Sequence, residues 1–201
     1  CLFTNIGVAH LEFLGSRDGI LKAKCEMFDY AADDVKAFVN GDDDKLITLK
    51  DIGRTFGMNP SRDVWADSVE KLGFDGVRCR IHTDAKNSFE AAIPLPGTHM
   101  VYNAMAGTCI GLALGLSIEE IRAGIENLKP LPGRSNILHT GHYTLLDDCY
   151  NANPASMMES LNVLDDTHSR KVAILGDMGE LGPQSDRSEE HTSELQSPMY
   201  L

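Results

Sequence analysis

The chain has 201 residues, 42% of them hydrophobic and 24% charged, with a formal net charge of −12. That length allows one large domain or two small ones with a true core, and the balance is ordinary for a soluble globular protein. The charge argues against nucleic acid or an anionic membrane as partner, while leaving room for a nucleotide bound through a divalent cation.

Leu2 to Ile6 reads as a buried strand running into a loop at Gly7. A helix is expected from Arg17 to Ala31, capped by Ser16 and carrying Asp18 in its first turn, where a negative charge suits the helix dipole. Its apolar stripe holds Ile20, Leu21, Met27 and Phe28, with Lys24 in the gap and Lys22 facing away. A lysine inside such a stripe is costly unless paired, neutralised or modified. Two readings stand: a lysine snorkelling at the stripe's edge, or a functional amine aimed where His10 and Glu12 point.

Val35 to Val39 reads as the next strand, and Asn40-Gly41-Asp42-Asp43-Asp44 follows as a solvated turn with a helix cap, or as a metal site. Val77, Cys79 and Ile81 alternate with Arg78, Arg80 and His82, the pattern of a half-buried strand; Phe89 to Leu95 is another. Trp65 reads as core and His82 as surface. Leu95-Pro96-Gly97-Thr98-His99 opens a helix with Val101, Met105, Cys109 and Leu112 on one face, stopped by Gly115. Ser117 and Glu120 form a capping box for a helix with Ile118, Ile121, Ile125 and Leu128 inward. Leu131-Pro132-Gly133-Arg134 is a rigid linker, so a domain boundary is placed after residue 134.

Beyond it, Tyr143 to Leu146 is a short strand ending in Asp147-Asp148. Asn151-Ala152-Asn153-Pro154 turns into a helix with Met157, Leu161 and Leu164 inward, and Val172 to Leu175 is an apolar strand followed by Gly176-Asp177. Strand, helix, strand predicts a right-handed parallel crossover, with ligands beyond the carboxyl ends of the strands, where Asp148 and Asp177 fall. The fold class is therefore α/β. The cysteines (Cys1, Cys25, Cys79, Cys109, Cys149) are odd in number with no CxxC pair, which points to reduced thiols in a cytoplasm. No secretion leader is visible, and the apolar run Ala104 to Leu116 is too short to span a bilayer. The chain starts at Cys1 already in strand-like sequence, and is expected to come from the middle of a longer protein.

Four motifs stand out along the chain: Thr4-Asn5-Ile6-Gly7-x-x-His10-Leu11-Glu12, Leu95-Pro96-Gly97-x-His99-x-x-x-Asn103, Asp147-Asp148-x-Tyr150-Asn151-Ala152-Asn153-Pro154 and Leu175-Gly176-Asp177-Met178-x-Glu180-Leu181-Gly182. In this order they resemble the Mur ligases, ATP-dependent amide-bond-forming enzymes that build the peptide stem of peptidoglycan. Within that family the resemblance is to the branch that joins D-alanyl-D-alanine to UDP-N-acetylmuramoyl-tripeptide. It runs from about Leu2 to Asp186, vaguely over Lys45 to Ile93. It implies the second half of a central ATPase domain over residues 1–134 and the start of a Rossmann-like carboxyl-terminal domain over 135–186. Residues 187–201 resemble a translated sequencing-library adapter and read as a non-native tail.

The resemblance also implies roles. His10 and Lys24, the latter as a carbamate, correspond to the catalytic groups that hold a magnesium ion. Asn103, Arg134, Asp148, Tyr150, Asn151 and Asn153 correspond to ATP-binding positions, with His99, Glu12, Asn40 and Asp42 in second rank. The implied substrates are the UDP-N-acetylmuramoyl-tripeptide and D-alanyl-D-alanine, and the implied setting is a cytoplasmic monomer without membrane insertion. Simpler uses remain open: Asn103 as a helix polar group, Arg134 in a surface pair, Asn151 and Asn153 as turn and cap residues. Met100 stands where the family often has asparagine, and the chain has no GxxxxGK[ST] phosphate loop, so by itself it is expected to be inactive. The rival readings are another Mur-type ligase, a folylpolyglutamate-type ligase, or a non-catalytic nucleotide- or metal-binding remnant.

Overall fold

A computed structural model describes residues 1–7 and 11–178, excluding the side chains of Leu11 and Glu12. His10 and the expected tail at 187–201 therefore lie outside the described residues. The larger sheet runs β1 (Leu2–Phe3), β2 (Phe38–Asn40), β3 (Arg54–Gly57), β4 (Val64–Lys71), β5 (Val77–His82) and β6 (Ser88–Ile93), adjacent in that order. Strands β1 to β4 pair in parallel; β4, β5 and β6 pair antiparallel. On β5 the alternation holds, with Val77, Cys79 and Ile81 buried and Arg78 and Arg80 exposed. That period-two split follows from having one face packed and the other wet.

The packed face is covered by α3 (His99–Ala113), which buries Val101, Ala104, Met105, Ala106 and Cys109. Ala104 and Ala106 let the helix lie close to the sheet, and buried Thr108 satisfies its hydroxyl by donating to the Ala104 carbonyl at 2.8 Å. Helix α4 (Ile118–Glu126) starts at the expected Ser117–Glu120 capping box and buries Ile121 and Ile125; Leu128 is 41% exposed and lies beyond the stripe. A second cluster joins Phe3, Ile6, Ile20, Val39 and Leu46. Ile20 comes from α2 (Arg17–Cys25), which follows the single turn α1 (Leu11–Leu14).

Several expectations change. The helix begun at Arg17 stops being α-helical at Cys25 and continues as a 3₁₀ segment, Glu26–Tyr30. The tighter turn carries Met27 outward, and Lys24 is exposed, so the continuous apolar stripe with a lysine inside it does not form. Val35 is outside the second strand, which begins at Phe38. Trp65 and His82 are register partners on β4 and β5 and stack face to face at 3.7 Å between centroids. Each half-buries the other, so neither is simply core or surface.

In the remaining part, β7 (Asn136–His139) and β8 (Thr144–Asp147) form an antiparallel hairpin, followed by α5 (Pro154–Asp165). Val172 to Leu175 is not a strand, and Ile174 is 93% exposed. This segment, β8 and α5 line one cavity of about 540 Å³, and among the described residues the segment makes none of the strand pairing of the expected parallel crossover. On α5 the buried residue is Val163, which faces Gly97; Met157, Leu161 and Leu164 are only half-buried. Lys71 and Asp166 form an ion pair at 2.9 Å beside that contact.

Candidate functional site

Because β1, β2 and β3 are parallel, the loops that follow them share one end of the sheet. The polar run after β2 ties those loops together. Asn40 donates from Nδ2 to the Thr4 carbonyl at 2.9 Å and accepts from the Asp42 N–H at 3.0 Å. The Asp43 carboxylate accepts from the Ile6 N–H at 2.8 Å through one oxygen, and from the Lys45 and Leu46 N–H groups, both at 2.9 Å, through the other. Asp42 accepts from the Met58 N–H, the Arg62 guanidinium and the Tyr102 hydroxyl. Burial, reinforced by that carboxylate, pushes the Tyr102 phenol up to about 12. Asp44 takes both ends of the Arg17 guanidinium. The second-rank candidates Asn40 and Asp42 are thus engaged within the chain, and no three ligating side chains cluster for a metal among the described residues.

Lys24 reaches the same loops from α2: its ammonium donates to the Asn5 carbonyl at 3.1 Å. Its intended companions, His10 and the Glu12 side chain, are outside the described residues. Asn103 is exposed on α3, with only a 3.4 Å contact from its amide to the Met100 sulfur. His99, at the start of α3, lies with Nδ1 3.4 Å from Glu159 of α5. That contact lacks hydrogen-bond geometry, since the same nitrogen has no hydrogen-bond partner among the described residues.

The other constellation is built around the linker. Gly133 adopts φ +71° and donates its N–H to Asp147 at 3.1 Å, while its carbonyl accepts from the Tyr150 N–H at 3.0 Å. A side chain at 133 would meet Tyr150 at 3.3 Å, so glycine serves both the conformation and the close approach. Ser135 also has a positive φ, +46°, and its N–H donates to Asp148 at 2.9 Å. The other Asp148 oxygen accepts from the Ser160 hydroxyl. Between these two anchored residues, the exposed Arg134 places its guanidinium carbon 4.2 Å from the Tyr150 ring centroid. An exposed cation–π contact contributes only about 0.5–1 kcal/mol. Among the described residues Arg134 makes no ion pair, so its charge and donors are available to an anion.

Asn153 caps α5 by accepting from the Ser156 N–H at 3.0 Å, and Asn151 accepts from the Ala152 N–H at 2.9 Å. Their side chains therefore serve the turn. Cys149 donates its thiol to Asp147 at 3.1 Å, an interaction that raises the thiol pKa. Asp148 and Asp177 both line the cavity beside β8.

The structure thus brings Arg134, Asp148 and Tyr150 together, with Asn151 and Asn153 in the same turn. It shows Lys24 in a separate group at the carboxyl ends of the parallel strands. Sequence reasoning missed Asp147, Ser135 and Ser160. No motif carries the two serines; only the left-handed backbone at one and the helix face of the other give them a role.

The chain matches two family models, "Mur ligase middle domain" over residues 1–111 and "Mur ligase, glutamate ligase domain" over residues 133–199. It is 33% identical over 196 residues to the UDP-N-acetylmuramoyl-tripeptide–D-alanyl-D-alanine ligase of Escherichia coli strain K12, covering 92% of this chain and 42% of that protein. The corresponding ligase of Treponema pallidum is 36% identical over 184 residues, covering 90% and 39%. The solved structure of MurF from Acinetobacter baumannii superposes with a TM-score of 0.89 at 32% identity, covering 98% of this chain and 44% of that one. The chain therefore spans about two fifths of the length of the curated relatives it matches. Two consecutive domain matches, in the order the folded units occur, establish that the chain belongs to the Mur ligase family.

Proposed function

We propose that the protein containing this chain is an ATP-dependent ligase that joins D-alanyl-D-alanine to UDP-N-acetylmuramoyl-tripeptide. The observation that carries this reading is the linker cation: Arg134 stacked on Tyr150, held between anchored neighbours and available to phosphate. The relatives that share about a third of its residues bear the name of that ligase.

The chemistry follows from the reactants. A carboxylate is a poor electrophile. Transfer of the γ-phosphoryl group of ATP to the tripeptide carboxylate gives an acyl phosphate and ADP. The dipeptide amine then attacks the carbonyl carbon, phosphate leaves with the C–O electron pair, and the new amide nitrogen loses a proton. The protein mainly positions groups and neutralises charge. Arg134, whose planar fork suits phosphate oxygens, is assigned to the phosphates. Asp148, Tyr150, Asn151 and Asn153 are assigned to the nucleotide, as is Asn103, with His99 in second rank.

Lys24 and His10 are assigned to a magnesium ion, which would supply charge neutralisation at the phosphates. The Lys24 ammonium is itself a cation and a donor, and does not suit a metal. Reaction of its neutral amine with carbon dioxide, with loss of a proton, makes an anionic oxygen donor of the kind magnesium takes. Its exposed place beside the Asn5 carbonyl leaves it open to that reaction. The free thiols suit a reducing cytoplasm, and a monomer is assigned. Residues 1–134 and 135–186 are assigned to the central and carboxyl-terminal domains, with 187–201 as a non-native tail.

The test uses the full-length enzyme with ATP, magnesium and the tripeptide nucleotide. Phosphate release should depend on D-alanyl-D-alanine and not on glutamate or a single D-amino acid; the reverse preference would refute the assignment. With ¹³C-bicarbonate, a carbamate resonance should appear in the wild type and vanish in Lys24→Ala. A spectrum without that resonance in the active enzyme would remove the carbamate.

A further inference from the structure

We propose that Ser160 is a positioning residue for the nucleotide site, acting through Asp148 on the linker that carries Arg134. The proposal rests on the reading above, in which Arg134 and Asp148 face ATP.

The geometry is a relay. The Ser160 hydroxyl, on the second turn of α5, donates to one oxygen of Asp148. It also lies 3.2 Å from the Ser156 carbonyl, its alternative acceptor on the helix. A hydroxyl has one proton to give, and the ionised carboxylate is the stronger acceptor. The second Asp148 oxygen takes the Ser135 N–H at 2.9 Å. With both oxygens held, the carboxylate cannot turn about its terminal bond, and it fixes Ser135 at φ +46°. That left-handed conformation is disfavoured for any residue with a side chain, so something must hold it. Arg134 is the preceding residue, and the direction in which it leaves the backbone depends on that conformation.

α5 is also tied to the first unit. Glu159, next to Ser160, lies 3.4 Å from His99, Val163 packs on Gly97, and Asp166 pairs with Lys71. Consecutive residues of one helix thus touch His99 on one side and Asp148 on the other. Ser160 is assigned no contact of its own with the nucleotide. Its influence passes through the carboxylate it orients.

Removing the hydroxyl should free Asp148 to rotate, let Ser135 relax, and spread Arg134 over orientations that miss the phosphates. In the full-length enzyme, Ser160→Ala should raise KM for ATP roughly tenfold, the scale of one hydrogen bond to a charged group. kcat and KM for the dipeptide should change little. Ser160→Thr, which keeps the hydroxyl, should restore KM for ATP. Asp148→Asn combined with Ser160→Ala should cost less than the sum of the single changes, because both act on one linkage. If Ser160→Ala keeps the wild-type KM for ATP while Arg134→Ala raises it, the positioning role is overturned and the nucleotide reading stands. If Arg134→Ala also leaves KM for ATP unchanged, that reading falls and takes the proposal with it. If Ser160→Ala merely lowers thermal stability, with losses additive to those of Asp148→Asn, the role is structural and the proposal is overturned.

Discussion

Asp42-Asp43-Asp44 follows β2 and Asp147-Asp148 closes β8, so both acidic runs stand at the carboxyl end of a strand and both invite a functional reading. In the first run the carboxylates meet backbone N–H groups and cations of the same chain: Met58, Ile6, Lys45 and Leu46 on one hand, Arg17 and Arg62 on the other. In the second they also hold backbone, at Gly133 and Ser135, but the nearby cation, Arg134, lies on an aromatic ring and makes no ion pair among the described residues. A carboxylate whose cation is already paired stabilises the fold. In the proposed function, the pair of carboxylates that fixes the loop around Arg134 prepares that cation for an anionic ligand. Composition does not distinguish the two runs; the partner of the nearest arginine does.

The sharpest way to break that comparison is stability. The Asp43 side chain is only 9% exposed and serves three N–H groups, so Asp43→Ala should lower the unfolding free energy by about 3 kcal/mol. Arg134→Ala, at an exposed position, should cost no more than about 1 kcal/mol, the scale of its contact with Tyr150. Urea denaturation followed by circular dichroism would measure both, and equal losses would erase the distinction.

A smaller effect sharpens the second region. The exposed Cys149 thiol is held up by its hydrogen bond to Asp147 and by that residue's charge. Asp147→Asn should therefore speed its alkylation a few-fold near pH 8. Buried Cys79 and Cys109, pushed up to about 11 and about 12 by desolvation, should stay unlabelled in the native protein. Peptide mass spectrometry after timed quenching reads all of these. An unchanged Cys149 rate would show that Asp147 is not where the linker needs it.

The smallest effect concerns an acid with no cation beside it. Hydrogen bonds from the Ser117 N–H and hydroxyl hold Glu120 below the usual glutamate range. A depressed folded pKa means the carboxylate adds stability at neutral pH and loses it as pH falls through that lowered value. The stability gap between wild type and Glu120→Gln should shrink over that acidic window. A gap independent of pH would contradict the capping geometry.

Much of the fold was legible because local rules and burial agree. The Val77-Cys79-Ile81 alternation, the Ser16 and Ser117 caps and the small-residue face of α3 all occur as read. The failures have a common cause, namely partners that no local pattern reveals. The stripe around Lys24 assumed an α-helix through Ala31, but the 3₁₀ turn after Cys25 changes its phase. Val172 to Leu175 has strand composition, yet a strand needs an edge to bond to, and among the described residues this segment pairs with none. The Trp65–His82 stack depends on the register between two strands. At the candidate site, the structure brings together Arg134, Asp148 and Tyr150, which the motif and family resemblance had singled out. Ser135 and Ser160 were not, since one is defined by its backbone angle and the other by a contact across twelve residues.

The most direct measurement is calorimetric titration of the full-length enzyme with ATP and magnesium, comparing Arg134→Ala with Asp44→Ala. Both variants change one charge in or beside an acidic run, and only the first removes a cation that makes no ion pair among the described residues. Arg134→Ala should weaken nucleotide binding about 30-fold, the scale of a lost charge-assisted hydrogen bond, while Asp44→Ala binds as the wild type does. Wild-type affinity in Arg134→Ala, or an equal loss in Asp44→Ala, would contradict the assignment of the linker arginine to the phosphates.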